Sequence, residues 1–181
     1  METIDILCVV DTNFLMKQVN EGKLSAGTLN SPTSLGSWND SDSYIFMICD
    51  GQYASTKNGT SELAVNASVG NTIRWTITDP STGLQDNQTQ SYCSILYNFS
   101  SGTGYGGIIT QPEMSSVPAA LYYNSESEVT QPTLSAYMCS AWASSVLNIG
   151  NVQYNWSFQI VDSATGATVG YFTWDPFINI S

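Results

Sequence analysis

Apolar and polar residues alternate with period two along most of the chain, and the 3.6-residue period of an amphipathic helix is almost absent, so the pattern predicts strands from end to end. Ile4, Ile6, Cys8 and Val10 share one face of a first strand. Residues 44–49, YIFMIC, form a continuous apolar run, the pattern of a strand buried on both faces. Leu63, Val65 and Ala67 mark a third strand and residues 71–78 a fourth. Cys93, Ile95, Tyr97 and Phe99 line a fifth, and Leu134, Ala136 and Met138 suggest another before Trp142. Near the C-terminal end Tyr154, Trp156, Phe158 and Ile160 alternate with polar residues, DSATG at 162–166 supplies a turn, and residues 167–174 return as a second strand, which predicts a hairpin. Pro176 has no amide donor, so WDPF belongs at a strand end or on an edge. Residues 14–19, FLMKQV, predict a short helical turn, and the Gly/Ser/Pro-rich residues 20–43 and 100–119 read as long loops. The sum is an all-β fold: a two-sheet antiparallel β-sandwich with long end loops, as one domain over residues 1–181.

Charge then removes partners. Four basic against fifteen acidic residues give a net charge of −11, a field that repels phosphate backbones and anionic lipid, so neither nucleic acid nor a membrane is expected as partner. Charged residues are only 10% of the chain, whereas 25 serines and 18 threonines supply a hydroxyl-rich surface on which copies readily associate, and a homo-oligomer is expected. METIDILCVVDT lacks the basic region and cleavage site of an export signal, which points to the cytoplasm. The seven Asn-x-Ser/Thr triplets are therefore read as composition. Cys8, Cys49, Cys93 and Cys139 sit in apolar runs without a C-x-x-C pair, and all four are expected as buried free thiols.

Chemistry is limited by what the chain lacks. Without histidine there is no imidazole base, no Ser-His-Asp or Cys-His nucleophile, and no ordinary zinc or iron set. No Ser stands three residues before a lysine; Phe14, Asn20 and Ala54 do. The carboxylate pairs Asp40/Asp42 and Glu126/Glu128 lie in Ser-rich stretches, where solvation accounts for them better than glycosidase chemistry. NDSDSY at 39–44 fails as an EF-hand because Tyr44, Ile45 and Gly51 occupy its oxygen, glycine and glutamate positions. The expectation is no enzyme, no cofactor and no metal, a looser calcium site built from several loops being the alternative to a plain polar loop. A ligand site remains open in two places: Trp38, alone among Ser37, Asn39, Asp40 and Asp42, and Tyr105 in SSGTGYGG are each suited to stacking on a sugar ring or to folding back on the core.

Arg74 is the one arginine. Ile73, Trp75 and Ile77 face one way along its strand and Thr72, Arg74, Thr76 and Thr78 the other, so Arg74 belongs to the polar face. Among fifteen carboxylates its planar fork predicts a bidentate pair that pins neighbouring segments, with a ligand anchor as the second reading.

IDILCVVDT at 4–12, NTIRWTITD at 71–79 and GYFTWDPFINI at 170–180 together resemble the PixA/AidA family of bacterial inclusion-body proteins, in an order that spans nearly the whole chain. The resemblance implies a small cytoplasmic protein of a host-associated or quorum-sensing bacterium, stored in some members as crystalline inclusions, with no established enzymatic activity and no catalytic residues to carry over. Asp11, Arg74, Trp75, Trp174 and Asp175 are then motif positions of structural weight. Some relatives are methionine-rich; five methionines here do not suit sulfur storage. The functional expectation is a self-associating inclusion-body protein, with a lectin-like module for a carbohydrate or small molecule as the alternative.

Overall fold

The computed structural model describes residues 1–36, 41–80, 92–101, 106–119 and 137–181. The first strand, β1 (Thr3–Val10), buries Ile4, Ile6, Cys8 and Val10 as its alternation requires. It runs into α1 (Thr12–Asn20), whose first turn is capped by Asp11: the carboxylate accepts from the Phe14 amide at 2.9 Å. The helical turn expected at 14–19 is thus a nine-residue helix, anchored by buried Leu15 and Met16.

The remaining strands are β2 (Thr33–Ser34), β3 (Ile45–Ile48), β4 (Ala54–Thr56), β5 (Ala64–Ala67), β6 (Thr72–Thr78), β7 (Tyr92–Ser101), β8 (Glu113–Ala119), β9 (Tyr137–Ser145), β10 (Gly150–Asp162), β11 (Thr168–Trp174) and β12 (Phe177–Ile180). They form two packed sheets, one ordered β3-β1-β6-β9-β8 and the other β2-β11-β10-β12-β5-β4, with β7 also paired to β10. The sandwich expected from the sequence is present, but its sheets are mixed: β1 with β6, β2 with β11 and β5 with β12 are parallel. Period-two patterning marks which face a residue takes and carries no strand direction, so the antiparallel reading had only the C-terminal hairpin behind it.

That hairpin forms as expected, β10 against β11, with the Gly166 amide donating to the Asp162 carbonyl at 2.8 Å across the turn. Pro176 falls in the break between β11 and β12, where its carbonyl accepts from Tyr154 at 3.1 Å. Other expectations change. β7 buries Ser94, Leu96 and Phe99 and exposes Ile95, because a register shift opposite Ser157/Phe158 inverts the alternation midway. Residues 113–119, expected as loop, make the edge strand β8; its EMSSVPA sequence has little alternation and Pro118 withholds a donor. Leu134 and Ala136 lie outside the described residues.

The two inner faces meet in an aromatic core. Trp75 from the first sheet packs edge-on against Tyr154 and Trp156 of the second, each with ring centroids 5.5 Å apart, and its indole N–H donates to the Tyr154 hydroxyl at 3.1 Å. A second tie runs the other way: the Trp174 indole donates to the Met47 sulfur at 3.3 Å. Of the four free thiols, Cys8 and Cys49 are buried, whereas Cys93 and Cys139 are only half-buried, a correction that follows from their places on β7 and the outer face of β9. Burial pushes the Cys8 thiol far above its ordinary range.

Candidate functional site

Asp5 on β1 and Arg74 on β6 stand directly opposite each other in the parallel register, on the outer face of the first sheet. The Arg74 Nε donates to Asp5 Oδ1 at 2.5 Å and Nη2 to Oδ2 at 2.9 Å, the bidentate fork expected from the sequence. The bond to Asp5, above all, holds the guanidinium still more firmly protonated. The pair is far from buried, the Arg74 side chain being 32% exposed and that of Asp5 61%.

Around this pair the outer face forms an open trough of about 460 Å³ that touches all five strands. Leu7, Ile48, Cys49, Val117 and Cys139 are its apolar lining, Thr76 lies beside Arg74, and Asp50 adds a second carboxylate. Leu7 faces Ile48, and Val9 faces Phe46, in the β1–β3 register. Leu7 is 39% and Ile48 45% exposed. The run at 44–49 therefore buries Ile45 and Met47 but leaves Phe46 half-buried and Ile48 exposed, because no layer covers this face among the described residues. The signal was available in β1: its outward positions, Leu7 and Val9, are apolar where a solvated face calls for polar residues.

Asp42, another sequence-predicted site residue, does not line the trough. Asp42 lies in the 3-10 turn Ser41–Ser43, where its Oδ1 accepts from the Ser61 amide at 2.9 Å and hydroxyl at 2.7 Å. It ties that turn to the segment entering β5. Trp38, Asp40 and Tyr105 lie outside the described residues, as do Glu126 and Glu128. Among the described residues no group of three metal-ligating side chains occurs, and no helix is long and apolar enough to cross a membrane.

The motif residues Asp11, Trp75, Trp174 and Asp175 lie at a helix cap, in the core and at the β11–β12 break. A family model described as PixA, inclusion body protein, matches residues 2–180. The chain belongs to the PixA inclusion body protein family. Its fold is similar to the crystal structure of the inclusion body protein PixA from Burkholderia cenocepacia J2315, with a TM-score of 0.73 over 99% of this chain and 96% of that one. At 19% identity that likeness speaks for the shared PixA fold alone. The cysteine protease inhibitor EhICP2 from Entamoeba histolytica aligns with 65% of this chain and 84% of its own at 14% identity, but its TM-score of 0.27 is too low to imply a shared fold. No curated protein matches the chain.

Proposed function

We propose that this PixA-family chain is a non-catalytic protein that self-associates and accumulates as folded copies in cytoplasmic inclusions. The observation that carries the reading is the family match, under its description as an inclusion body protein, over residues 2–180. Two features agree with it. A chain in which only 10% of residues are charged has little to hold copies apart once its excess of carboxylates is neutralised. Several sheet edges are also unsuited to runaway strand pairing: β2, β4 and β3 have two, three and four residues, and β8 carries Pro118. Dense storage of such a chain is then storage of native molecules.

Lowering the pH toward the sequence pI near 4.1 should strengthen association, because protonating carboxylates removes the net charge of −11. Light scattering from pH 8 down to the pI, with far-UV circular dichroism on the same samples, checks this. The expected result is a reversible rise in particle mass with the β spectrum retained. A chain that stays monomeric near the pI, or that scatters only after losing its native spectrum, sinks the reading.

A further inference from the structure

We propose that Asn58 is a site of spontaneous covalent modification, deamidation through a cyclic imide, and that the fold holds it unreacted by engaging its side-chain amide on the outer edge of β3. Among the described residues β3 has a strand partner, β1, on one side. Along the other side residues 58–60 stand in for a strand. The Gly59 amide donates to the Met47 carbonyl at 2.8 Å, and the Met47 amide donates to the Thr60 carbonyl at 3.1 Å. One step along, a side chain replaces backbone: Asn58 Oδ1 accepts from the Cys49 amide at 3.1 Å, and Nδ2 donates to the Cys49 carbonyl at 3.0 Å. Among short side chains only the carboxamide of asparagine offers a fixed acceptor and donor side by side. The turn that delivers Asn58 also dictates its neighbour. Thr60 donates its amide to the Lys57 carbonyl at 3.1 Å, and Gly59, third in that turn, has a φ of +91°, which glycine adopts without strain. Two structural needs therefore set Asn before Gly, the one Asn-Gly pair in the sequence.

That pair is the chemically weakest of the chain's Asn-x sequences, because glycine has no side chain to hinder its nitrogen. The Gly59 nitrogen, on losing its proton to solvent base, attacks Asn58 Cγ; the N–Cγ bond forms, the Cγ–Nδ2 bond breaks, and Nδ2 takes up a proton and leaves as ammonia. Water then opens the cyclic imide at either carbonyl. The product is aspartate, or isoaspartate with the main chain routed through Cβ and Cγ, and each adds a negative charge. Asn58 is exposed, so water is at hand and the protection lies in hydrogen bonds. Met47 holds the proton that the nucleophilic nitrogen has to lose, and Cys49 holds the carboxamide away from ring closure. Both contacts have to open together before the imide forms. The carboxylate cannot remake them, since it has no donor for the Cys49 carbonyl and sets two acceptors face to face. A passing opening of the β3 edge thereby becomes a lasting one, at a boundary of the first sheet.

The parent protein held at pH 8, once native and once unfolded in urea, tests the proposal. Digestion with pepsin in acid stops the reaction, and mass spectrometry of the peptides reads amide against acid at Asn58. Conversion should be at least tenfold slower in the native protein than in urea, and a smaller difference overturns the proposal. Asn58→Asp supplies the product directly. It should speed amide exchange at Met47, Cys49 and Gly59 at least tenfold over the parent, while β10 keeps its protection. Ser55→Asp adds the same charge at an exposed position nearby and should leave that exchange as in the parent. Unchanged exchange in Asn58→Asp, or equal acceleration in both variants, overturns the role of Asn58 at the edge. If Asn58→Asp fails to fold, as read by circular dichroism, the uncharged Asn58→Ala, which lacks both bonds to Cys49, replaces it with the same exchange expected.

Discussion

The isolated arginine is explained by the strand opposite it. Asp5 and Arg74 lie 69 residues apart in the chain, and the fork between them fastens β1 to β6 at one rung of a parallel ladder. Its exposure sets its worth. With Asp5 mostly in water the pair is screened, so Arg74→Ala should cost about 0.5–1 kcal/mol and Arg74→Lys, which keeps the charge but loses the fork, nearly as much. Thermal denaturation at neutral pH checks this; a loss several times larger would mean that Arg74 is held by more than Asp5. Glu62 gives the opposite case. Partial burial, with the charge of Asp175 next in weight, raises its carboxyl above the ordinary range. The folded state therefore binds that proton more tightly than the unfolded chain does. Stability then falls as pH rises from the ordinary value through the raised one, and the deficit is complete at neutral pH. Glu62→Gln should raise the melting temperature by about 1 °C at pH 7, a few tenths of a kcal/mol after solvent screening, and by nothing near pH 4. A gain that persists at pH 4 would assign the effect to something other than the carboxylate.

At the scale of elements, what was legible in the sequence was whatever one segment decides for itself. The outward and inward residues of β1 and β6 follow from alternation, and the β10–β11 hairpin from its turn. Strand direction, the β7 register shift and the existence of β8 depend on partners far along the chain, which a local pattern does not encode. The trough was half-visible: the apolar residues on both sides of β1 and β3 were in view, but only the sheet order shows that one side is left uncovered by the described residues. Residues 20–36 show how a loop acquires a task. The Tyr171 amide donates to the Ala26 carbonyl at 2.7 Å, Leu35 donates to Thr173 at 2.7 Å, and β2 pairs between them, so this segment covers the free edge of β11. Gly27 makes the approach possible. Its φ of +64° suits glycine, and an added Cβ would come under 3.0 Å from backbone of Tyr171 and Thr33. Gly27→Ala should therefore cost about 1–3 kcal/mol, roughly 2–10 °C in melting temperature, and should speed amide exchange along β11. Unchanged exchange there would show that the loop does not guard the edge.

On the scale of the whole molecule, the sandwich is closed by residues far apart in sequence. Trp75 reaches Tyr154, Trp174 reaches Met47, and the sheets share one aromatic core in consequence. The order of the second sheet is more telling, because its last strand in sequence is not an edge. β12 lies between β10 and β5, bonded to the first antiparallel and to the second in parallel register, so among the described residues Phe177–Ile180 supply the strand pairing that joins β4 and β5 to the rest of that sheet. A nascent chain makes β12 only after β1–β11. Until Ile180 has left the ribosome, β5 presents Val65 and Ala67 with no neighbour on that side, and the apolar surface assembled before then has to be kept from other chains by solubility or by chaperones. Synthesis and packing are thereby kept apart in time: β5 gains its second neighbour only after β12 has been made and laid against β10.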